Sequence, residues 1–490
     1  MIEDRTPSVP RTVKNLIDGH WRQSEVGDVT TRTNPADLRE VVATSPNSTP
    51  KDVDDAIAAA CRAFDSWSRQ PLEVRMDLIM RALTVLDRRR EELARVDVLE
   101  SGKTMRECAS EVARTLDTVR YQVDVAPRAL RDEAEARSGV VPRLDHCPVG
   151  VSAVITPWNF PFSVVLRKIV PALLPGNAVV VKPAELTPVT AAIIGEAFTE
   201  AGLPTGVLNI VFGSGARIGG SLVTDERVKA ISFTGSTSVG LVINRDATHD
   251  VRIQLEMGGK NATVIAADAD IARAVDGVQS AAFTAAGQWC VATSRVLVQS
   301  SVFDEVVERL VAKARTIRVG NGLDLDVDMG AIVSQAQLDK VLAYLASTSP
   351  ETARIMAGGQ RLDEPPLDHG LFVMPTIVGV DDPTCPLWQD EVFGPVLSVM
   401  RYETLDDAIA LVNGTPYGLA ASIYTRDTAA ASQFCAGADV GRVAVNLPTN
   451  AGDPRIAGTG WKSSGRGAPE GAAEGIRFYT HPKAVFVGQQ

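Results

Sequence analysis

Between residues 51 and 131 apolar side chains recur at helical spacing. Val53, Ile57, Ala60 and Phe64 share one face of 52–67, and the stretches 76–104 and 108–126 keep the same period. Gly102 followed by Lys103 predicts a helix stop and restart. From 149 the rhythm changes. Apolar runs at 149–156, 177–182, 207–212 and 228–233 predict strands, and amphipathic stretches at 163–174, 188–201 and 216–223 predict helices between them. Apolar strands without polar alternation, separated by helices, predict a parallel sheet covered on both faces, a doubly wound α/β unit. A second series begins near 261. Strands are expected at 261–266, 295–299, 396–402, 418–425 and 441–446, with helices at 270–286 and 301–315. The pattern therefore predicts two α/β domains that meet at the Gly258-Gly259-Lys260 turn. The segment 358–376, with Gly358, Gly359, Pro365, Pro366 and Gly370, is expected to be turn-rich.

Composition narrows the functional classes. The 490-residue chain carries 49 basic and 60 acidic residues, a net charge of −11 with no basic block, which argues against a nucleic-acid backbone as partner. No run of 18 uncharged apolar residues suggests a membrane span, and the start MIEDRTPSVPRT lacks the apolar core of a secretory signal. A cytoplasmic location is expected, with the first dozen residues as a loose tail. The six cysteines are far apart without CxxC spacing, and the five histidines are scattered, so neither a metal site nor a disulfide framework is expected.

The chemistry concentrates in two short stretches, LEMGGKN (255–261) and GQWCVATSR (287–295). Cys290 between small and polar residues, with Glu256 at a glycine-flanked strand end, suggests a thiol nucleophile served by a carboxylate base. Read singly, Cys290 is a buried structural thiol and Glu256 a surface strand residue; the pair carries the catalytic reading. No GxGxxG follows the first strand of the α/β series. Its place can be taken by FTGSTSVG (233–240) and GSGARIGG (213–220), glycine-rich strand-to-helix turns whose free N–H groups suit a pyrophosphate, although each is also an ordinary tight turn. VVVKPAELTP (179–188) ends a strand with Lys182 and Glu185; a carboxylate there can accept ribose hydroxyls and would repel a 2′-phosphate.

Together with NLIDGHW (15–21), PWNFP (157–161) and EVFGPV (391–396), these motifs occur in one order along nearly the whole chain, which resembles the aldehyde dehydrogenase superfamily. The resemblance implies two Rossmann-like domains and a small β oligomerisation ribbon. Residues 1–123 and 149–257 would form the NAD-binding domain and 258–446 the catalytic domain. Residues 124–148 and 447–490 would supply the ribbon and C-terminal segment, with a hairpin near 124–148 pairing the last strand near 475–487. Homodimers or homotetramers would follow. Cys290 would attack the aldehyde carbon, the Asn159 amide and the Cys290 N–H would hold the oxyanion, and Glu256 would activate water. NAD, with NADP as an alternative, would lie along Ile155, Thr156, Trp158, Gly215, Gly219, Phe233 and Gly235. Ser236 would meet a phosphate, Lys182 and Glu185 the adenosine ribose, Glu391 the nicotinamide ribose and Phe393 the ring.

Other chemistries remain open from sequence: a CoA-acylating semialdehyde dehydrogenase, which needs no water-activating Glu256, and a thiol esterase or non-catalytic binding protein on the same scaffold. Two departures bear on substrate. Trp289, a bulky indole beside the nucleophile, is expected to reshape the substrate tunnel. IAGTGWKSSG (456–465) stands where many relatives carry Pro-Phe-Gly-Gly. GQ-x-C-x-ATSR and GWKSSG look like dehydrogenases of semialdehydes, and Arg167 and Arg295 are candidates to meet a substrate carboxylate, with aromatic aldehydes equally open.

Overall fold

The computed structural model describes residues 10–133, 135, 140–348 and 351–488. Residues 1–9 of the expected tail lie outside these; Arg11–Thr12 are not loose but pair in parallel with Ala43 and Thr44. The helical stretch resolves into Pro50–Ser68, Leu72–Arg88, Arg90–Ser101 and Met105–Ala129. The stop and restart fall where expected. Gly102 adopts φ +81°, and Thr104 opens the next helix with a capping box to Glu107.

The first α/β series forms an eight-stranded sheet. Its order is Gly465–Gly467, Arg252–Glu256, Val228–Thr234, Val151–Ile155, Ala178–Lys182, Leu208–Ile210, Asn15–Ile17, His20–Arg22. The five strands from Arg252–Glu256 to Leu208–Ile210 are parallel, as the pattern predicts. Why these strands read as continuous apolar runs is visible in the burial. Val154, Val179, Val181 and Ala230 join one core with the helices Pro161–Leu173 and Pro188–Glu200. Val151, Ala153, Ile155, Val180, Ile231 and Phe233 join another with Pro50–Ser68 and Gly215–Val223. Successive side chains point to opposite faces, so a sheet covered on both sides needs apolar residues at every position. The outer strands Asn15–Ile17 and Gly465–Gly467 pair antiparallel. Neither belongs to the strand–helix–strand rhythm, so the periodicity did not announce them.

The second series forms a seven-stranded sheet. Its order is Ala353–Ala357, Thr376–Val380, Val396–Tyr402, Thr293–Gln299, Asn261–Ile265, Ala420–Tyr424, Arg442–Val445. Ala353–Ala357 and Thr376–Val380, which flank the turn-rich segment, were not expected as strands. The helix expected over 270–286 ends at Phe283; residues 284–287 turn back, with Ala285 and Ala286 at φ +53° and +52°. The hairpin expected from 124 begins at 131, because Val123, Val125, Ala126 and Ala129 are buried and hold the helix through Ala129. Arg131–Glu133 and Val140–Pro148 then form the ribbon, and Val140–Pro148 pairs residue for residue with Thr480–Gly488. Residues 134 and 136–139 of that hairpin and 489–490 of the C-terminal segment lie outside the described residues. No helix among the described residues is long and apolar enough to cross a membrane.

Candidate active site

The site forms where the strand ends of the first sheet meet the loop entering Thr293–Gln299 of the second. That loop is pinned from several sides. Glu107 accepts a hydrogen bond from the Ala285 N–H at 2.7 Å. The Gln288 amide donates to the Ala285 and Ala331 carbonyls and accepts from the Val333 N–H. Asn261 donates to the Cys290 carbonyl at 2.7 Å and to the Ala292 carbonyl at 2.8 Å. A side chain at Gly259 would stand 2.7 Å from the Cys290 carbonyl oxygen, so the second glycine of MGGK is required by close approach. Gly287, at φ +69°, would place a Cβ 2.2 Å from the Gly394 carbonyl. The backbone of Cys290 is thus fixed before any substrate arrives.

A cleft of about 400 Å³ brings together Cys290, Asn159, Glu256, Glu391, Phe393 and Trp158, with Gly235 and Ser236 at one end. Asn159 is buried and donates one amide hydrogen to the Gln288 carbonyl at 3.0 Å, which leaves the other for an acceptor in the cleft. Glu256 ends the strand Arg252–Glu256. One of its carboxylate oxygens is buried without a hydrogen-bond partner among the described residues. Glu391 accepts from the Gly259 N–H at 2.8 Å, and a Cβ on Gly258 would collide with its carboxylate. Phe393 sits at φ +59°, a costly conformation for a non-glycine residue, with its ring edge-on to Trp158 at 5.5 Å. Trp289 packs on Phe160 at 4.7 Å and forms part of the cleft wall.

The other expected cofactor residues lie outside the lining of this cleft, along the carboxyl ends of the first sheet's strands. Ile155 pairs with Lys182, and the Thr156 N–H donates to the Lys182 carbonyl. Gly215 starts the helix Gly215–Val223 with 3.9 Å between its virtual Cβ and the Lys182 Cε. Gly219 has open space around it. Phe233 closes under Gly235, where a Cβ would meet its ring at 2.5 Å. Ser236 caps the helix Thr237–Asp246 by accepting from Val239. Lys182 is buried, its ammonium donates to the neighbouring Pro183 carbonyl and to no other group among the described residues, and burial lowers its pKa to about 8 against the pull of Glu185. Thr156 and Thr234 keep buried hydroxyls without partners at adjacent strand ends. Orphaned polar groups lined up at the C-terminal edge of a parallel sheet suit a polar ligand lying across it.

Burial pushes the Cys290 thiol up to about 12, with Glu391 and Glu256 adding to the rise and Arg442 and Arg167 opposing it. Burial, then the neighbouring Glu470, raises Glu256 to about 7, where a carboxylate works as a base near neutral pH. Glu470 is held low by Lys168 and Arg167, each 2.9 Å away. Asn159→Ala should lower kcat about 10²–10³-fold while leaving the fold intact, the usual cost of one oxyanion donor; initial rates and a thermal melt check it, and an unchanged kcat would remove Asn159 from the oxyanion site.

Three features escaped the sequence reading. Arg295 is wholly structural: its guanidinium donates to the carbonyls of Lys260, Leu411 and Val412 and lies over Trp388. Arg167 does line the cleft but is paired with Glu470. Arg442, which lines the same cleft, was missed; its signal was a lone charge at the start of an apolar strand. The divergent 456–465 loop sits against the end of the strand that carries Glu256, since Gly465 pairs with Glu256 and the Ser464 carbonyl accepts from the Met257 N–H.

Cys290, the Asn159 amide and the Glu256 carboxylate thus share one cleft where two doubly wound sheets meet, the architecture of an aldehyde dehydrogenase. The chain belongs to the aldehyde dehydrogenase family, whose model matches residues 21–485. It is similar to the alpha-ketoglutaric semialdehyde dehydrogenase of Bacillus subtilis (strain 168), at 36% identity over 97% of this chain and 98% of that one. It is also similar to malonate-semialdehyde dehydrogenase 2 of Geobacillus kaustophilus (strain HTA426), at 37% identity over 97% and 98%. The structure of betaine aldehyde dehydrogenase from Staphylococcus aureus in complex with NAD+ superposes with TM-score 0.93, at 33% identity over 97% of this chain and 95% of that one.

Proposed function

We propose that this family member oxidises an aldehyde to a carboxylic acid with NAD, through a thioester on Cys290. The observation that carries the reading is the single cleft shared by Cys290, Asn159 and the orphaned Glu256 carboxylate. Cys290 gives its proton to solvent and adds as thiolate to the aldehyde carbon, and the carbonyl electron pair moves to oxygen. The free Asn159 N–H and the Cys290 backbone N–H hold the resulting oxyanion. Bound NAD supplies the acceptor for the hydride that leaves this carbon. Glu256 then takes a proton from water, water adds to the thioester, and the carbon–sulfur bond breaks to release the acid. Retention of a base-poised Glu256 favours water over CoA as the acyl acceptor. Product formation without added CoA tests this, and an absolute CoA requirement would overturn it. Ester hydrolysis with no NAD bound in calorimetry would favour the esterase alternative.

For the cofactor, Lys182 and Glu185 would take the adenosine ribose, Thr156, Gly215, Gly219 and Ser236 the neighbouring groove, and Glu391 and Phe393 the nicotinamide end. Glu185 should set NAD above NADP by at least about tenfold in kcat/KM, since a juxtaposed like charge costs several kcal/mol. Glu185→Ser should narrow that ratio by about tenfold. Equal kcat/KM for the two cofactors in the wild type would contradict the role.

A homodimer or homotetramer fits the apolar side chains left exposed on Thr237–Asp246 (Val239, Leu241, Val242) and on the ribbon (Val140, Phe486, Val487). Six free thiols suit a reducing cytoplasm.

A further inference from the structure

Arg442 is the one cleft-lining guanidinium that the structure leaves without a partner among the described residues. It begins the strand Arg442–Val445 at the edge of the second sheet, and its N–H donates to the Leu419 carbonyl. The guanidinium packs on the loop that departs from the family pattern. A Cβ on Gly458 would stand 3.0 Å from its Nε, and one on Gly452 would be 4.0 Å from its Nη1. Its side chain forms no ion pair or hydrogen bond there, yet it acts through space on Cys290, Glu256 and Glu470.

The local charge is unbalanced. Glu470 already serves both Arg167 and Lys168. Glu256 is needed as an acid–base group and is raised by burial, so it is a poor permanent counter-ion for Arg442. Next to Cys290 the cleft carries an apolar cluster of Trp289, Val291 and Leu419, and the Arg442 N–H is bonded to Leu419 of that cluster. An aldehyde end at Cys290, methylenes along that cluster and an anion on the guanidinium would satisfy every group. A carboxylate matches the planar fork of arginine with two parallel hydrogen bonds. We propose that Arg442 binds the carboxylate at the end of the substrate remote from the aldehyde, which makes the substrate class ω-oxo acids. This rests on the aldehyde-oxidation reading above.

The test is initial rates with straight-chain ω-oxo acids of three to six carbons and with the unsubstituted aldehydes of the same lengths. Wild type should favour the best oxo acid over its unsubstituted counterpart by at least about tenfold in kcat/KM. In Arg442→Leu that selectivity ratio should fall at least about tenfold, to near parity, the loss lying mostly in KM, because the guanidinium binds the carboxylate in the ground state as well as in the transition state. Arg442→Lys should recover part of it. Independently of any variant folding, the dicarboxylate of the best length should inhibit wild type competitively and more strongly than the matching monocarboxylate. A wild type without preference for oxo acids, an unchanged ratio in Arg442→Leu, or equal inhibition by the two acids overturns the assignment while leaving aldehyde oxidation standing. No turnover with any aldehyde overturns the oxidation reading and this one together.

Discussion

Cys290→Ala should reduce aldehyde-dependent NADH formation by at least about 10⁴-fold, with no residual substrate preference. An aldehyde carbon surrenders hydride readily only after a nucleophile has made it tetrahedral, and no other cysteine lines the cleft. The loop that carries residue 290 is fixed by Asn261, Gln288 and Glu107 through backbone atoms and neighbouring residues, not through the thiol. Truncation should therefore lower stability by only about 1 kcal/mol, a shift of about 1 °C in a thermal melt for a chain of this length. Lost activity with a preserved melt separates chemistry from folding. Turnover within tenfold of wild type would contradict the thiol's role.

Glu256→Gln should lower steady-state kcat about 10²–10⁴-fold, the usual contribution of a positioned base. The variant should still release a burst of about one NADH per active site, because only the step after hydride transfer needs the base. Wild-type kcat should climb as pH rises through about 7, where Glu256 loses its proton, and the glutamine variant should lose that inflection. Stability should move in the opposite sense. A carboxyl whose pKa is raised from the ordinary 4.5 to about 7 binds its proton more tightly folded than unfolded. Its contribution is most favourable below pH 4.5 and is lost as pH rises to about 7. Glu256→Gln should thus melt higher than wild type at pH 8 and close to it at pH 4. Equal melts at pH 8 would show that Glu256 is not held in a desolvated site.

Much of the fold was legible because the physics is local. Strands such as Ala178–Lys182, apolar on both faces, and helix signals such as the stop at Gly102 before Lys103 state their environment in adjacent residues. The segments misread are those whose environment comes from afar. Gly465–Gly467 is a strand because Gln254 to Glu256 offer it a free edge, and Thr376–Val380 because Val396–Tyr402 does. The helix expected to run through 286 stops at 283, since the left-handed turn at Ala285 is held by Glu107, far away in sequence.

The site divides in the same way. The motifs around Cys290, Glu256 and Glu391 are compact and predicted residues that the cleft gathers. The status of charged residues was not legible. Arg295 and Arg442 look equally polar in sequence, and only packing shows one saturated by three carbonyls and the other without a side-chain partner among the described residues.

The covalent intermediate is most directly tested by peptide mass mapping of Glu256→Gln, acid-quenched after incubation with an aldehyde and NAD. The mass of the acyl group should appear on the peptide containing Cys290, at close to one per chain and on no other cysteine. An unmodified Cys290, under conditions where wild type oxidises the same aldehyde, would contradict a thioester mechanism.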